Sequence, residues 1–303
     1  MGRKRTVALT VGAASIAAWA ASKAMSKSIP RTEKKALNFD SPIVLANRGG
    51  LLEAPEHTNA AFSHSASYGV HGFAVDIRLT KDEQIVVFHD EYVNRTTNLE
   101  GKLADYSLSE IKEADAGYHF KDKNGEFPYR GKGETVLSLK ELLEQFPHLF
   151  ICINIQETPD TYEGSLIPSK LWYLIEELGA EDRLAVTSAF DEQVDRFNLY
   201  AQNRVAIGAG NREIKKAYTA FTSQFGHFYQ PTTDLFCCPH KMGIFSIGRA
   251  GFINFLSKLN IPIYFTDVDE PDNITTLINA GAAGFITDQP TVMMKTIQNA
   301  VAE

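Results

Sequence analysis

Four short apolar runs in this chain carry, at or near their ends, side chains of types that do chemistry. Asn47-Arg48 closes residues 43–47, Asp76 lies within 73–79, His89-Asp90 closes 84–89, and Asn154-Ile155-Gln156 closes 150–155. The set supplies a guanidinium, carboxylates, an imidazole that exchanges a proton near neutral pH, and amides that do not. Side chains two apart on a strand share a face, so Asp76 lies beside Ala74 and Asn154 beside Gln156. Such a set does not exclude a small phosphate ester, which needs only one or two local cations.

The elements that must position these residues alternate along the chain. Apolar runs at 43–47, 73–79, 84–89, 150–155, 184–188, 205–208, 261–266 and 284–287 read as strands. Helical periodicity falls between or after them at 58–68, 138–146, 169–178, 191–200, 213–222, 251–259, 273–280 and 291–301. Strands separated by helices imply parallel pairing through crossovers. Eight strands predict an α/β fold, a (β/α)8 TIM barrel, with a doubly wound open sheet as the alternative. Residues 228–230 stay open as a further strand or a loop. The polar stretch 98–134 and the aromatic stretch 224–247 are expected to be binding loops or lids. In a barrel the site lies at the strand C-termini, where the polar residues above converge.

Composition narrows the class. The chain has 303 residues, 44% hydrophobic and 22% charged, with a net charge of −7. That suits one large globular unit and excludes nucleic acid as a bulk partner. Three cysteines, Cys152, Cys237 and Cys238, make no disulfide framework and no metal-type spacing, so free thiols are expected. Arg3-Lys4-Arg5 precedes an uncharged stretch at 6–22, read as a signal peptide or a single-span anchor, which makes the chain membrane-anchored or secreted. Lysines and arginines on both sides leave its orientation open. Residues 23–40 read as a polar linker, giving a leader and linker at 1–40 and a barrel at 41–303.

The motifs add a family. Residues 47–58 read NRGGLLEAPEHT, 74–76 AVD, 86–90 VVFHD, 95–97 RTT, 186–190 VTSAF, 264–268 YFTDV and 281–290 GAAGFITDQP. This text resembles the glycerophosphodiester phosphodiesterase family, whose pattern runs HRG, PEN-T, E-x-D, HD, R-T-T, S-F, W-T-V and G-x-x-G-I-x-T-D-x-P. The resemblance extends over residues 42–300. It implies a TIM barrel and metal-assisted hydrolysis of a glycerophosphodiester or lysophospholipid to an alcohol and glycerol 3-phosphate or a related phosphate. It also implies His89 as proton donor or acceptor, Arg48 as phosphate ligand, Glu56 as an organising acid, Asn154 as a substrate contact, and Asp76 as a ligand to Mg²⁺ or Ca²⁺.

Three positions depart from the pattern. The first histidine is Asn47, one metal-ligand glutamate is Ala74 and another is Gln156; Thr158 stands where a lysine is common. The ligand charge falls from about −3 to about −1, so weak cation binding is expected. A lost proton-transfer group costs about 10²–10⁴ in rate. Glu157 is expected to face away from the pocket, and His57 to be a surface or packing histidine. The chain is therefore expected to be a phosphodiesterase of impaired or absent activity; the alternatives are a pseudoenzyme binding a phosphate ester or protein, or an engineered inactive variant.

Overall fold

Strand alternation sorts the apolar residues onto two faces. The computed structural model describes residue 19, residues 21–23 and residues 25–302 apart from 41 and 269. Its strands are β1 (Ile43–Asn47), β2 (Gly72–Leu79), β3 (Ile85–Val87), β4 (Phe150–Ile155), β5 (Leu184–Thr187), β6 (Ala206–Ile207), β7 (Phe236–Pro239), β8 (Ile263–Thr266) and β9 (Gly284–Thr287). Val44, Ala46, Phe73, Val75, Ile151 and Ile153 face the helices, whereas Ile43, Leu45, Ala74, Cys152, Ala185 and Tyr264 pack on one another inside the curled sheet. Both faces are buried, as a parallel sheet under helices requires.

The strand order is β6-β5-β4-β2-β1-β9-β8-β7, with parallel neighbours throughout. Its two ends meet at a single parallel bridge between Gly208 and Leu235. Asp234 reinforces that seam: its backbone N–H donates to Ile207 O at 2.7 Å and its carboxylate accepts the Ile207 N–H at 3.0 Å. The sheet thus curls into a barrel of parallel strands.

The run at 84–89 is not one of them. β3 pairs antiparallel with β2 and lies off the closed path. Only residues 80–84 separate the two strands, too few for the crossover a parallel return needs. The missing barrel strand is β7, inside the stretch expected to be a loop. Its sequence, FCCP, carries no β-branched residue and ends in proline, so its strand signal is weak. Residues 228–230, left open above, are no strand; the chain makes a short 3-10 turn at Gly226–Phe228.

The described helices are α1 (Asn59–Ser67), α2 (Leu108–Ile111), α3 (Leu139–Gln145), α4 (Tyr162–Leu178), α5 (Asp191–Ala201), α6 (Asn211–Thr222), α7 (Ala250–Ser257), α8 (Pro271–Asn279) and α9 (Pro290–Ala302). Thr58 caps α1, and Ser138 forms a capping box with Glu141 at α3. α4 begins about two turns before the expected residue 169, because Pro168 sits inside it. Proline has no N–H for the carbonyl four residues back. The side chain of Gln193, fully buried on α5, donates to that Gly164 carbonyl at 3.0 Å and to Glu157 O at 2.8 Å.

Of residues 23–40, read above as a linker, 26–40 form a strap across the barrel's N-terminal end. Arg31 pairs with Asp234 at 2.8 Å, its N–H donates to Leu259 O, and Lys35 pairs with Asp182 at 2.7 Å. Lys34 bonds Asn203 O, and Ala36 is buried with the lumen residues. The expected apolar leader lies mostly outside the described residues. Among the described residues no helix is long and apolar enough to cross a membrane.

Candidate active site

The residues expected at the site converge at the C-terminal end of the barrel. Alternation carries the lumen face upward from Leu45 to Asn47, Ala74 to Asp76 and Cys152 to Asn154. These six, apart from Leu45, line one cavity of about 250 Å³ together with Cys237. The thiols of Cys152 and Cys237 face each other at 3.8 Å on its wall. After β1 the chain turns sharply, with positive φ at Arg48 (52°), Gly49 (84°) and Gly50 (96°). Gly49 is required there, since a Cβ would come within 2.8 Å of the Ala61 methyl group.

That turn throws the Arg48 guanidinium across the cavity rim. Its Nη1 donates to Glu56 Oε1 at 3.1 Å, and its Nε lies 3.0 Å from Asp76 Oδ2. The latter is a contact of charges rather than a directed hydrogen bond, for Arg48 Nε makes none. The other Asp76 oxygen accepts from Asn154 Nδ2 at 2.9 Å and Gln156 Nε2 at 2.6 Å. Asp76 is therefore enclosed by one guanidinium and two amides.

His57 closes the same site from below. It is 2% exposed, and its Nε2 accepts the backbone N–H of Asp76 at 3.2 Å. Burial lowers its pKa to about 4 against the opposing pull of Asp76 and Glu56, so the ring is neutral at pH 7. Of the two roles expected for it, packing is correct and surface is not. Glu157 does face away from the cavity, pairing with Arg78 at 2.9 Å and accepting the Leu79 N–H; burial raises its pKa.

His89 stands just outside the cavity wall. Its Nδ1 meets Asp90 Oδ1 at 2.6 Å, which orients the ring and leaves Nε2 for a ligand. Arg95 joins this pair to the cavity: it donates to Asp90 Oδ2 at 2.5 Å and to both Glu56 oxygens at 2.7 Å. Burial pushes the Glu56 and Asp90 carboxyls up, but hydrogen bonds from Arg95 together with the nearby positive charges outweigh it and hold each at about 2. Asp76, Arg48, Glu56, Arg95, Asp90 and His89 form one continuous chain of contacts. Asn47 lies on the other side, donating from Nδ2 to Asp288 Oδ1 at 2.8 Å.

Asp90, Arg95 and Asp288 were quoted in motifs above without a role. Asp90 and Arg95 flank His89 in sequence, so their proximity was the available signal. Asp288 is 241 residues from Asn47 and gave none.

A divalent cation of the expected kind does not fit these residues. Ala74 offers no oxygen, Gln156 turns an amide nitrogen toward Asp76, and a guanidinium already neutralises that carboxylate. Among the described residues no group of three or more His, Cys, Asp or Glu side chains is placed to hold a metal.

The sequence model of the glycerophosphoryl diester phosphodiesterase family matches residues 48–292. The chain belongs to that family. It is similar to the glycerophosphodiester phosphodiesterase of Caldanaerobacter subterraneus subsp. tengcongensis, at 29% identity over 84% of this chain and 98% of the relative. Among solved structures it resembles the glycerophosphoryl diester phosphodiesterase domain of Rv2277c from Mycobacterium tuberculosis, with a TM-score of 0.74, 15% identity, and 84% and 99% of the two chains covered. It also resembles a phosphodiesterase of Oleispira antarctica in complex with its product sn-glycerol-3-phosphate, with a TM-score of 0.64, 19% identity, and 87% and 98% coverage. At these identities the two structures speak for the fold.

Proposed function

We propose that this family member binds a phosphate ester of the glycerophosphodiester class at the Asp76 cavity and has lost the family's metal-assisted hydrolysis. The observation that carries the reading is the enclosure of Asp76 by Arg48, Asn154 and Gln156. A carboxylate satisfied by a guanidinium and two amides is a poor ligand for a hard cation, which seeks several anionic oxygens. Asn47 cannot take the proton that a histidine there would take. Arg48 is the nearest cation for a phosphate, which enters by competing with Glu56 and Asp76. The Asp90-held His89 is then the one imidazole at the rim with a nitrogen facing outward. Lysophospholipids share the same head chemistry and belong to the same ligand class.

Restoring Asn47→His, Ala74→Glu and Gln156→Glu together tests this. Ala74 lines the cavity, so a glutamate there has room. Glycerol 3-phosphate release is measured with Mg²⁺ or Ca²⁺ for the wild type, the three single variants and the triple. The triple is expected to exceed the wild type by at least about 10², and each single variant to stay near it, because proton transfer and the cation act together. Wild-type turnover equal to the triple would overturn the reading. A folded but inert triple that also fails to bind glycerol 3-phosphate would show that the cavity serves another ligand.

A further inference from the structure

The opposite end of the barrel carries a surface that the cavity chemistry does not use. After α6 the chain turns at 223–230 on the N-terminal side of the strands. Phe225 and Phe228 are 47% and 51% exposed there, with rings stacked at 6.2 Å. The segment leading into the strap and the strap's first residues run along this turn. Trp19 Nε1 donates to Gln224 O, Ser22 Oγ lies 3.0 Å from His227 Nε2, and Ser28 Oγ donates to Gly226 O at 2.7 Å. Met25 and Ile29 point outward at 88% and 70% exposure. Lys23 lies over the Trp19 ring at 5.2 Å.

Charge on this face runs against the whole molecule. The chain totals −7, yet residues 19–30, which run along this turn, carry Lys23 and Lys27 and no acidic side chain. Residues 6–18, which lead into Trp19, contain no charged side chain. Exposed phenylalanine, methionine and isoleucine beside a partly exposed tryptophan, interleaved with lysines, match an interfacial layer, where rings sit at headgroup depth and ammonium groups meet lipid phosphates.

We propose that this face, built from Trp19, Met25, Ile29, Phe225 and Phe228 with Lys23 and Lys27, docks on a bilayer bearing anionic headgroups. The Asp76 cavity lies at the other ends of the strands and therefore opens to water. A ligand reaches it from solution rather than from the bilayer on which the protein rests. That last consequence rests on the cavity being the ligand site; the surface itself does not.

The test uses the full chain with vesicles of phosphatidylcholine and phosphatidylglycerol. A polarity-sensitive fluorophore is attached at Ile29→Cys on this face or at Tyr92→Cys beside the cavity rim, with the unsubstituted chain as labelling blank. The dye at 29 is expected to shift to the blue and be quenched by brominated lipid, while the dye at 92 keeps its aqueous emission. The double variant Phe225→Ser/Phe228→Ser is expected to lower vesicle affinity about tenfold, as is omission of phosphatidylglycerol. The proposal is overturned by a shift at 92 rather than 29, by vesicle binding with both dyes still aqueous, by equal affinity of the double variant, or by no binding at all. None of these readings depends on turnover, so they stand or fall apart from the cavity's chemistry.

Discussion

His57 shows how one residue sets a pH limit. Its backbone φ of 58° lies in the left-handed region, and its buried ring accepts a hydrogen bond that a protonated ring would lose. Its pKa is about 4 in the folded chain, against an ordinary 6.5. Between these values the unfolded chain binds more protons, so stability rises with pH. The contribution is complete above pH 6.5 and falls away by about 3 kcal/mol as pH drops to 4. Glu56 and Asp90, held at about 2, add a further loss only as pH falls below the ordinary carboxylate range. His57→Asn suits the positive φ and carries no titrating group. Urea midpoints from pH 4 to 6.5 are expected to flatten in that variant; an unchanged slope would assign the effect elsewhere. The convergence of Asn47, Asp76, Asn154 and Gln156 was legible, because strand alternation alone puts them on one face. The direction of the Arg48 side chain was not, for it depends on a turn with positive φ at three consecutive residues.

At the scale of elements, α4 depends on a helper from its neighbour. Pro168 removes a helical donor and Gln193 replaces it, so the two positions are coupled. Gln193→Ala leaves two buried carbonyls unpaired and is expected to cost about 3 kcal/mol in urea unfolding. Adding Pro168→Ala restores an N–H opposite Gly164 O and is expected to recover about 1 kcal/mol of that. Strictly additive losses in the double-mutant cycle would refute the coupling. Pro168 also explains why the first turns of α4 were illegible in sequence. β3 and β7 were misread for separate reasons. Five residues between β2 and β3 already forbade a parallel return, a constraint present in the text. β7 is a strand only because β8 supplies a hydrogen-bonding edge and Leu235, just before it, is bridged to Gly208, which is tertiary information.

At the scale of the molecule, the alternation of strand and helix made the fold class legible, but not how the sheet closes. Closure depends on long-range contacts to Asp234. Arg31 is partly exposed, while the Asp234 carboxylate is 2% exposed. Removing one partner of such a pair strands a buried charge. Arg31→Ala is expected to lower stability by about 3 kcal/mol, measured by urea denaturation, whereas Lys35→Ala, on an exposed pair, should leave it nearly unchanged. Equal small effects would show that the strap lies on the barrel without supporting it.

The strap's contacts fall on both sides of the β6–β7 seam: Asp182 and Asn203 precede β5 and β6, while Asp234 and Leu259 precede β7 and β8. Residues 31–35 are thus a clasp over the barrel's weakest joint. Local opening in a folded protein starts where the fewest hydrogen bonds must break, and amide hydrogen exchange reads it directly. A fragment starting at residue 42 should exchange the amides of Ile207, Ala209 and Asp234 far faster than the full chain. The Arg48 and Val75 amides, remote from the joint, should keep their protection. Trimming the chain to its strands and helices would then yield a barrel that is folded yet ajar, on the side facing away from Asp76.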